Sequence, residues 1–194
     1  MTGKDILKIT LNLAVIYIAG GLIIALVHAA TSPIRYHNKV VAEELALKSL
    51  VPDADKIEKL GDWKIHEKDA KYFVAKKGEA TIGYIVQSYG KGYSSYINTL
   101  IAVDRDFRVK KVKILDQKET PGLGDEIEED SFTDLLKGKD ADHLKVLKTE
   151  TTEYVQAITG ATISSRAVTD DAVRNGVKFI KATITGGGAG HVGR

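Results

Sequence analysis

The chain begins with a long apolar stretch and continues with mixed apolar and polar positions. From Ile9 to Ala30 the sequence contains no Asp, Glu, Lys or Arg, and as an α-helix this segment would be about 33 Å long. Since the hydrocarbon core of a bilayer is about 30 Å thick, the pattern predicts a membrane-spanning helix. A cleaved signal peptide is the alternative, because Lys4 and Lys8 precede the stretch and small residues follow it. The stretch is longer than the usual core of a signal peptide, which favours a retained anchor.

The pattern after the anchor predicts one helix and then a sheet. Asn38 to Leu50 has an apolar side and is stopped by Pro52, so we expect a helix that links the anchor to a folded domain. Alternation is clear at Ile82, Tyr84 and Val86. The strand candidates are Trp63 to His66, Tyr72 to Ala75, Thr81 to Ser88, Ser95 to Val103 and Val109 to Leu115. Together they predict a mainly antiparallel sheet.

The last third of the chain predicts helices with one further strand. We expect a short acidic helix near Ile127 to Leu136, a strand at Tyr154 to Ile158 and a longer helix from about Ser165 to Ile184. The fold class is therefore α+β. The expected organisation is a short N-terminal segment at 1–8, a transmembrane helix at 9–30, a linker helix at 31–52, a folded domain at 53–185 and a flexible glycine-rich tail at 186–194.

The composition of the chain limits the kinds of partner and of functional site that it can have. The 43% hydrophobic content is enough for one domain with a core, while a net charge of +2 with interleaved signs gives no indication of a nucleic-acid partner. The absence of Cys excludes disulfides, thiolate metal sites, iron-sulfur ligation and a catalytic thiol in this chain. The His residues are too scattered to predict a metal site, and no nucleophile and base occur together, so we expect no catalytic residues.

The membrane orientation is not determined by charge. Lys4 and Lys8 lie on one side of the apolar stretch, and Arg35 and Lys39 lie on the other. Each pair is within the range over which positive charges influence orientation. The sequence by itself therefore leaves both orientations open.

The first candidate functional motif is residues 159–165, TGATISS, between the last strand candidate and the last helix. A hydroxyl there can carry a phosphate, because the free N–H groups and partial positive charge of a helix N-terminus favour one. Gly160 lets the backbone approach it closely. The alternative is that these Ser and Thr residues are ordinary helix caps.

Two further loops carry glycine. Residues 116–125, DQKETPGLGD, contain a Pro-Gly turn signal, so a purely structural turn is one interpretation. Residues 90–95, GKGYSS, form either a hairpin connection or the wall of a ligand site.

With these three motifs in this order behind an anchor, the whole chain resembles the FMN-binding G subunit of the Rnf electron-transport complex. It is more distantly similar to the C subunit of the Na+-translocating NADH:quinone reductase. The resemblance implies an FMN-binding domain outside the cytoplasm, in a cell-membrane protein that crosses the bilayer once. It further implies that a separate flavin transferase joins FMN covalently, through its phosphate, to a threonine hydroxyl. Gln156 stands where the recognition motif of the transferase usually has an aspartate.

The resemblance also supplies the candidate site residues. The covalent attachment residue falls on Thr162. The other cofactor-binding candidates are Thr159, Gly160, Ala161, Ser164, Ser165, Glu119, Thr120, Pro121, Gly122, Leu123, Gly124 and Tyr93. Two roles stay open: Glu119 is either a charge near the flavin ring or a loop charge or backbone cap, and Tyr93 either stacks on the flavin or packs on the sheet edge.

As a member of that family, the chain would carry electrons in a translocase, together with membrane and peripheral partner subunits. The complex would couple ferredoxin oxidation and NAD+ reduction to Na+ or H+ transport. Two alternatives remain at this point: the corresponding subunit of the quinone reductase, and an anchored extracytoplasmic binding domain with no redox role.

Overall fold

The computed structural model describes residues 3–186. Internal contacts divide the chain into two compact units with the boundary after Glu43. Of the glycine-rich tail predicted at 186–194, Gly186 forms a turn, and the remaining positions lie outside the described residues.

Helix α1 spans Gly3–Leu50 without interruption. Its 48 residues extend about 72 Å, and its apolar part is long enough to cross a membrane. Pro33 lies inside the helix, where its ring removes one backbone N–H. Next to it, the Ser32 hydroxyl donates to the carbonyl oxygen of His28, one turn earlier, at 2.7 Å. A single helix thus covers the positions of both the predicted membrane helix and the predicted linker helix.

A five-stranded antiparallel sheet follows, with the strands in chain order. The strands are β1 (Lys56–Ile65), β2 (Lys68–Lys77), β3 (Ala80–Lys91), β4 (Tyr96–Val103) and β5 (Val109–Asp116). Each neighbouring pair is joined as a hairpin, which confirms the predicted antiparallel sheet. β1, β2 and β3 are longer than predicted, because cross-strand hydrogen bonds extend pairing into polar residues that periodicity alone does not mark.

Both faces of the sheet are covered. On one face, Ile85 and Leu100 pack with Leu50 from the last turn of α1. On the other, Val86 and Ile101 pack with apolar residues of the C-terminal helix. Because successive strand residues point to opposite faces, burial on both sides makes β3 and β4 apolar at consecutive positions.

The segment after the sheet departs from the prediction. The acidic helix expected near Ile127 to Leu136 is divided into a 3-10 helix (Gly124–Glu128), α2 (Asp130–Thr133) and a second 3-10 helix (Asp134–Leu136). The strand expected at Tyr154 to Ile158 is shorter, β7 (Val155–Gln156), and pairs in parallel with β6 (Val146–Leu147). β6 was not predicted, because two residues are too few to show a period.

The C-terminal helix begins earlier than expected and is not uniform. It consists of α3 (Thr162–Arg166), a π-helical segment (Ala167–Val173) and α4 (Arg174–Thr185). The predicted start at Ser165 was wrong by three residues, since Ser and Thr are poor but tolerated helix formers. The π segment lies against β3 at Gly90, where a Cβ atom would overlap the Ala167 carbonyl oxygen. The molecule is of the predicted α+β class.

Candidate functional site

Glu119 connects the three motifs. Its Oε1 atom accepts hydrogen bonds from the backbone N–H groups of Ser94 and Ser95, both at 3.1 Å. Its Oε2 atom accepts from the backbone N–H of Tyr93 at 3.0 Å and from the Ser164 hydroxyl at 2.6 Å. The side chain is buried, with an exposed fraction of 5%. One carboxylate therefore joins the loop 92–95 and the first turn of α3.

These contacts decide the ionisation of the carboxylate. Burial raises the pKa of Glu119, but the hydrogen bonds from Ser164 and from the backbone at Tyr93, Ser94 and Ser95 outweigh it and hold the pKa below its ordinary value. Glu119 is therefore an anion at neutral pH. Of the two roles left open for it by the sequence, the backbone cap is the one seen directly.

Two glycines make room for this carboxylate. A Cβ atom at Gly124 would lie 2.7 Å from the Glu119 Cβ and 2.9 Å from the Ser164 Oγ. A Cβ atom at Gly92 would collide with the Glu119 Oε1. These glycines are needed because they leave space for Glu119, whereas Gly122 takes a positive φ of 72° in the turn before the first 3-10 helix.

The TGATISS motif forms the entry to α3. Gly160 has a φ of 82°, and Ala161 occupies the N-cap position, where no side chain supplies a capping hydrogen bond. Ser165 has a structural role: its hydroxyl donates to the Ala161 carbonyl at 2.9 Å and accepts from the Ile158 N–H at 3.1 Å. Thr162 is the first residue of α3. Within residues 3–186, no group hydrogen-bonds its hydroxyl.

A cavity of about 370 Å³ opens between these segments. Its lining consists of Tyr93, Glu119, Thr120, Leu123, Gly124, Gly160, Ala161, Thr162, Ile163 and Ser164. Most of the residues predicted for the site are thus brought together. Thr159, Pro121, Gly122 and Ser165 are not in the lining: the first three are exposed and Ser165 is buried in the helix entry.

Ile163 is a lining residue that the sequence analysis missed. It is 53% exposed and, with Tyr93 at 73% and Leu123 at 45%, it contributes apolar surface around the cavity. Two features of the sequence could have identified Ile163. It follows Thr162 directly, and it lies outside the apolar stripe that the helix turns toward the core. The exposed Tyr93 is not packed into the sheet.

The cavity fits a phosphate-bearing aromatic ligand. Its volume lies within the ~300–1,000 Å³ that small-molecule sites occupy, and it combines an apolar rim with a few polar groups. The first N–H groups of a helix have no intrahelical partner. In α3 they belong to Thr162, Ile163 and Ser164, all in the lining, so donors for phosphate oxygens face the cavity region. These features define a small-molecule binding domain preceded by a helix able to cross a membrane.

Comparison with known proteins identifies the class and the family. Residues 92–178, which include all three motifs apart from the first residues of the earliest one, match the family described as "FMN-binding domain". The chain is 40% identical to the G subunit of the proton-translocating ferredoxin:NAD(+) oxidoreductase complex of Clostridium ljungdahlii, over 95% of this chain and 96% of that protein. It is 29% identical to the G subunit of the Na(+)-translocating ferredoxin:NAD(+) oxidoreductase complex of Acetobacterium woodii, over 86% of this chain and 87% of that one.

The chain therefore belongs to the family of G subunits of ion-translocating oxidoreductase complexes. A solved structure, that of the C subunit of the Na(+)-translocating NADH-quinone reductase from Parabacteroides distasonis, is 29% identical over 59% of this chain and 63% of that chain, with a TM-score of 0.49. With its apolar helix α1, this family member is a membrane protein that carries an FMN-binding domain.

Proposed function

We propose that this chain is the electron-carrying subunit of an Rnf-type membrane complex that couples ferredoxin:NAD+ electron transfer to Na+ or H+ translocation. The support is the similarity, over nearly the whole chain, to G subunits whose names state that activity for their complexes. Its partners are the other membrane and peripheral subunits. When bound, FMN supplies one-electron and two-electron transfer, which side chains of this composition do not provide.

In this proposal FMN is held by a phosphoester to the Thr162 hydroxyl. The observation that carries it is the placement of that hydroxyl in the cavity lining, with no hydrogen-bond partner within residues 3–186. A threonine that merely capped the helix would bond its hydroxyl to the backbone. Here the N-cap is Ala161, so the capping interpretation does not explain Thr162.

The attachment needs an activated flavin phosphate and a separate transferase. The Thr162 hydroxyl would be the acceptor of the flavin phosphate, and the transferase would have to supply the base that takes the hydroxyl proton and release the leaving group of the activated phosphate. The product is a phosphodiester at the first residue of α3, where backbone N–H groups stabilise its negative charge.

Different residues around Thr162 would bind the phosphate and the ring of FMN. The Ser164 hydroxyl donates to Glu119, so its proton is not available to the phosphate, and the backbone N–H groups of α3 are the donors. The apolar surface of Tyr93, Leu123 and Ile163 suits the flat ring system. Thr120 lies on the same wall, and its carbonyl oxygen accepts from the Gly124 N–H at 2.9 Å, which holds that loop in place.

Covalent attachment is tested by comparing wild type with Thr162→Val and Thr152→Val after coexpression with a flavin transferase. We expect a fluorescent band under denaturing conditions and the added mass of one FMN in the wild type and in Thr152→Val. Thr162→Val should lose both. Thr152 is a matched control because it is an exposed threonine outside the motif and outside the cavity. An unmodified wild type, with the transferase active on a control substrate, would favour the binding domain without a redox role.

We also propose that α1 crosses the membrane once and that the FMN-binding domain lies outside the cytoplasm. Because the chain has no cysteine, one introduced thiol reports its own location. Glu79→Cys places it at an exposed position in the β2–β3 hairpin. A membrane-impermeant maleimide should label this variant in intact cells from which any outer barrier has been removed. Labelling only after lysis would show that the domain lies on the cytoplasmic side instead.

A further inference from the structure

We propose that Glu119 is a positioning residue for the flavin: it fixes the Tyr93 loop against α3, and its fixed negative charge lowers the midpoint potential of the flavin seated between them. This inference rests on the proposed function, because it concerns the environment of an FMN attached at Thr162. Glu119 acts on the ring of the flavin and not on the bond to its phosphate.

The Glu119 carboxylate connects the loop 92–95 to α3. Within residues 3–186, no hydrogen bond joins the loop 92–95 directly to α3, and the connection runs through the Glu119 carboxylate. Inside the loop, the Gly92 N–H donates to the Ser95 carbonyl at 2.9 Å, which closes the turn that presents Tyr93. The ends of the loop are held by the pairing of β3 with β4 and by the hydrogen bond from the Lys91 N–H to Asp171, and Glu119 adds the link at Tyr93 itself to the turn of α3 that carries Thr162.

Within residues 3–186, the negative charge of Glu119 is not paired with a cation. Among the described residues, no Lys or Arg forms an ion pair with Glu119, and the carboxylate is balanced only by N–H and O–H dipoles. Both Glu119 and Ser164 line the cavity. A charge in a buried, low-dielectric position acts strongly on its surroundings. The Glu119 charge makes the potential at a ring in this cavity more negative than a neutral wall would, so the charge disfavours reduction of the ring.

Two glycines leave space for the Glu119 side chain. Gly92 and Gly124 come from different loops, yet a Cβ atom on either would collide with Glu119, and one on Gly124 would also meet the Ser164 Oγ. Gly124 thus leaves space for the Glu119 side chain beside Ser164, and Gly92 leaves space for the carboxylate and for the Ser95 carbonyl oxygen.

The test uses the full chain, coexpressed with a flavin transferase and purified in detergent, as wild type, Glu119→Gln, Ser164→Ala and Asp140→Asn. Glu119→Gln keeps the shape and removes the charge. Asp140→Asn is the matched control, because Asp140 also caps a loop, accepting from the Asp142 N–H at 3.1 Å and from His143, but is not in the cavity lining. Intact mass gives the fraction that carries flavin, and the midpoint potential is measured on that fraction by dithionite titration.

We expect Glu119→Gln to raise the midpoint potential and to increase the quenching of flavin fluorescence by iodide. Ser164→Ala keeps the charge and removes one of the dipoles that balance it, so it should increase iodide quenching without raising the midpoint potential. Asp140→Asn should lower the unfolding temperature and leave both flavin readouts at their wild-type values.

A potential in Glu119→Gln equal to that of wild type, or a shift equal to that of Asp140→Asn, would overturn the inference. If Glu119→Gln does not fold, Ser164→Ala decides: unchanged iodide quenching would refute the positioning role. If the wild type does not carry the mass of one FMN, the proposed attachment and this inference are both refuted. An unchanged potential in a flavin-carrying Glu119→Gln refutes this inference alone.

Discussion

Single residues of the site owe their properties to distant neighbours. Glu119 is only one of many acidic residues in the sequence, and the pattern leaves its role open. The structure shows it capping backbone groups, because three backbone N–H groups and the hydroxyls of Ser164 and Ser95 donate to its carboxylate. Thr162 shows the converse: its importance came from the motif, and the tertiary structure adds that its hydroxyl has no partner within residues 3–186.

The lowered pKa of Glu119 predicts a pH dependence of stability. A carboxyl group whose folded-state pKa is depressed stabilises the fold above its unfolded-state pKa and loses that contribution as pH falls through the folded-state pKa. The wild type should therefore lose more stability than Glu119→Gln between neutral pH and the acid side of the ordinary carboxyl range. Thermal unfolding of both proteins at a series of pH values measures the difference. Parallel curves would contradict the prediction.

At the scale of elements, two buried hydroxyls of the C-terminal helix, those of Ser165 and Thr169, differ in their hydrogen bonding. Ser165 pairs with Ile158 and Ala161, whereas the fully buried Thr169 hydroxyl, in the π segment, has no hydrogen bond among the described residues. Removing one partner leaves a buried group unpaired, which costs about 1–3 kcal/mol, while replacing an unpaired group by a methyl of the same shape does not.

We therefore expect opposite outcomes for two substitutions in this helix. Ser165→Ala should lower the free energy of unfolding by about 1–3 kcal/mol, because it leaves the Ile158 N–H unpaired. Thr169→Val should leave it unchanged or raise it, because the branched shape is kept. Chemical denaturation of each variant gives the values. A clear loss of stability in Thr169→Val would show that its hydroxyl has a partner, such as a buried water molecule.

At the scale of the whole molecule, the boundary after Glu43 separates the apolar part of α1 from the unit that contains the cavity. The last turns of α1 belong to that second unit. Ala46, Leu50 and Val51 are buried there with Phe73 and other sheet residues. The compact unit that contains the sheet thus begins at Glu44 and includes the last turns of α1.

Two truncations test this boundary. A chain that starts at Glu44 should fold as a soluble domain, while one that starts at Asp53 loses Ala46, Leu50 and Val51 from the core. Burial of Leu50 alone contributes about 1.5–3 kcal/mol, so the shorter chain should be less stable by about 3 kcal/mol or more. Denaturant midpoints of the two proteins measure the difference. Equal midpoints would show that the end of α1 does not stabilise the sheet.

The sequence by itself determined the apolar anchor segment, the strands of the antiparallel sheet and the motifs of the family. These features are local: a membrane helix needs only length and composition, and a strand shows its alternation over a few residues. Only the tertiary structure decided that β6 and β7 pair, that the helix contains a π segment against Gly90, and that Glu119 joins the Tyr93 loop to Ser164. Those contacts join separate segments of the chain, and they depend on packing, which has no period in the sequence.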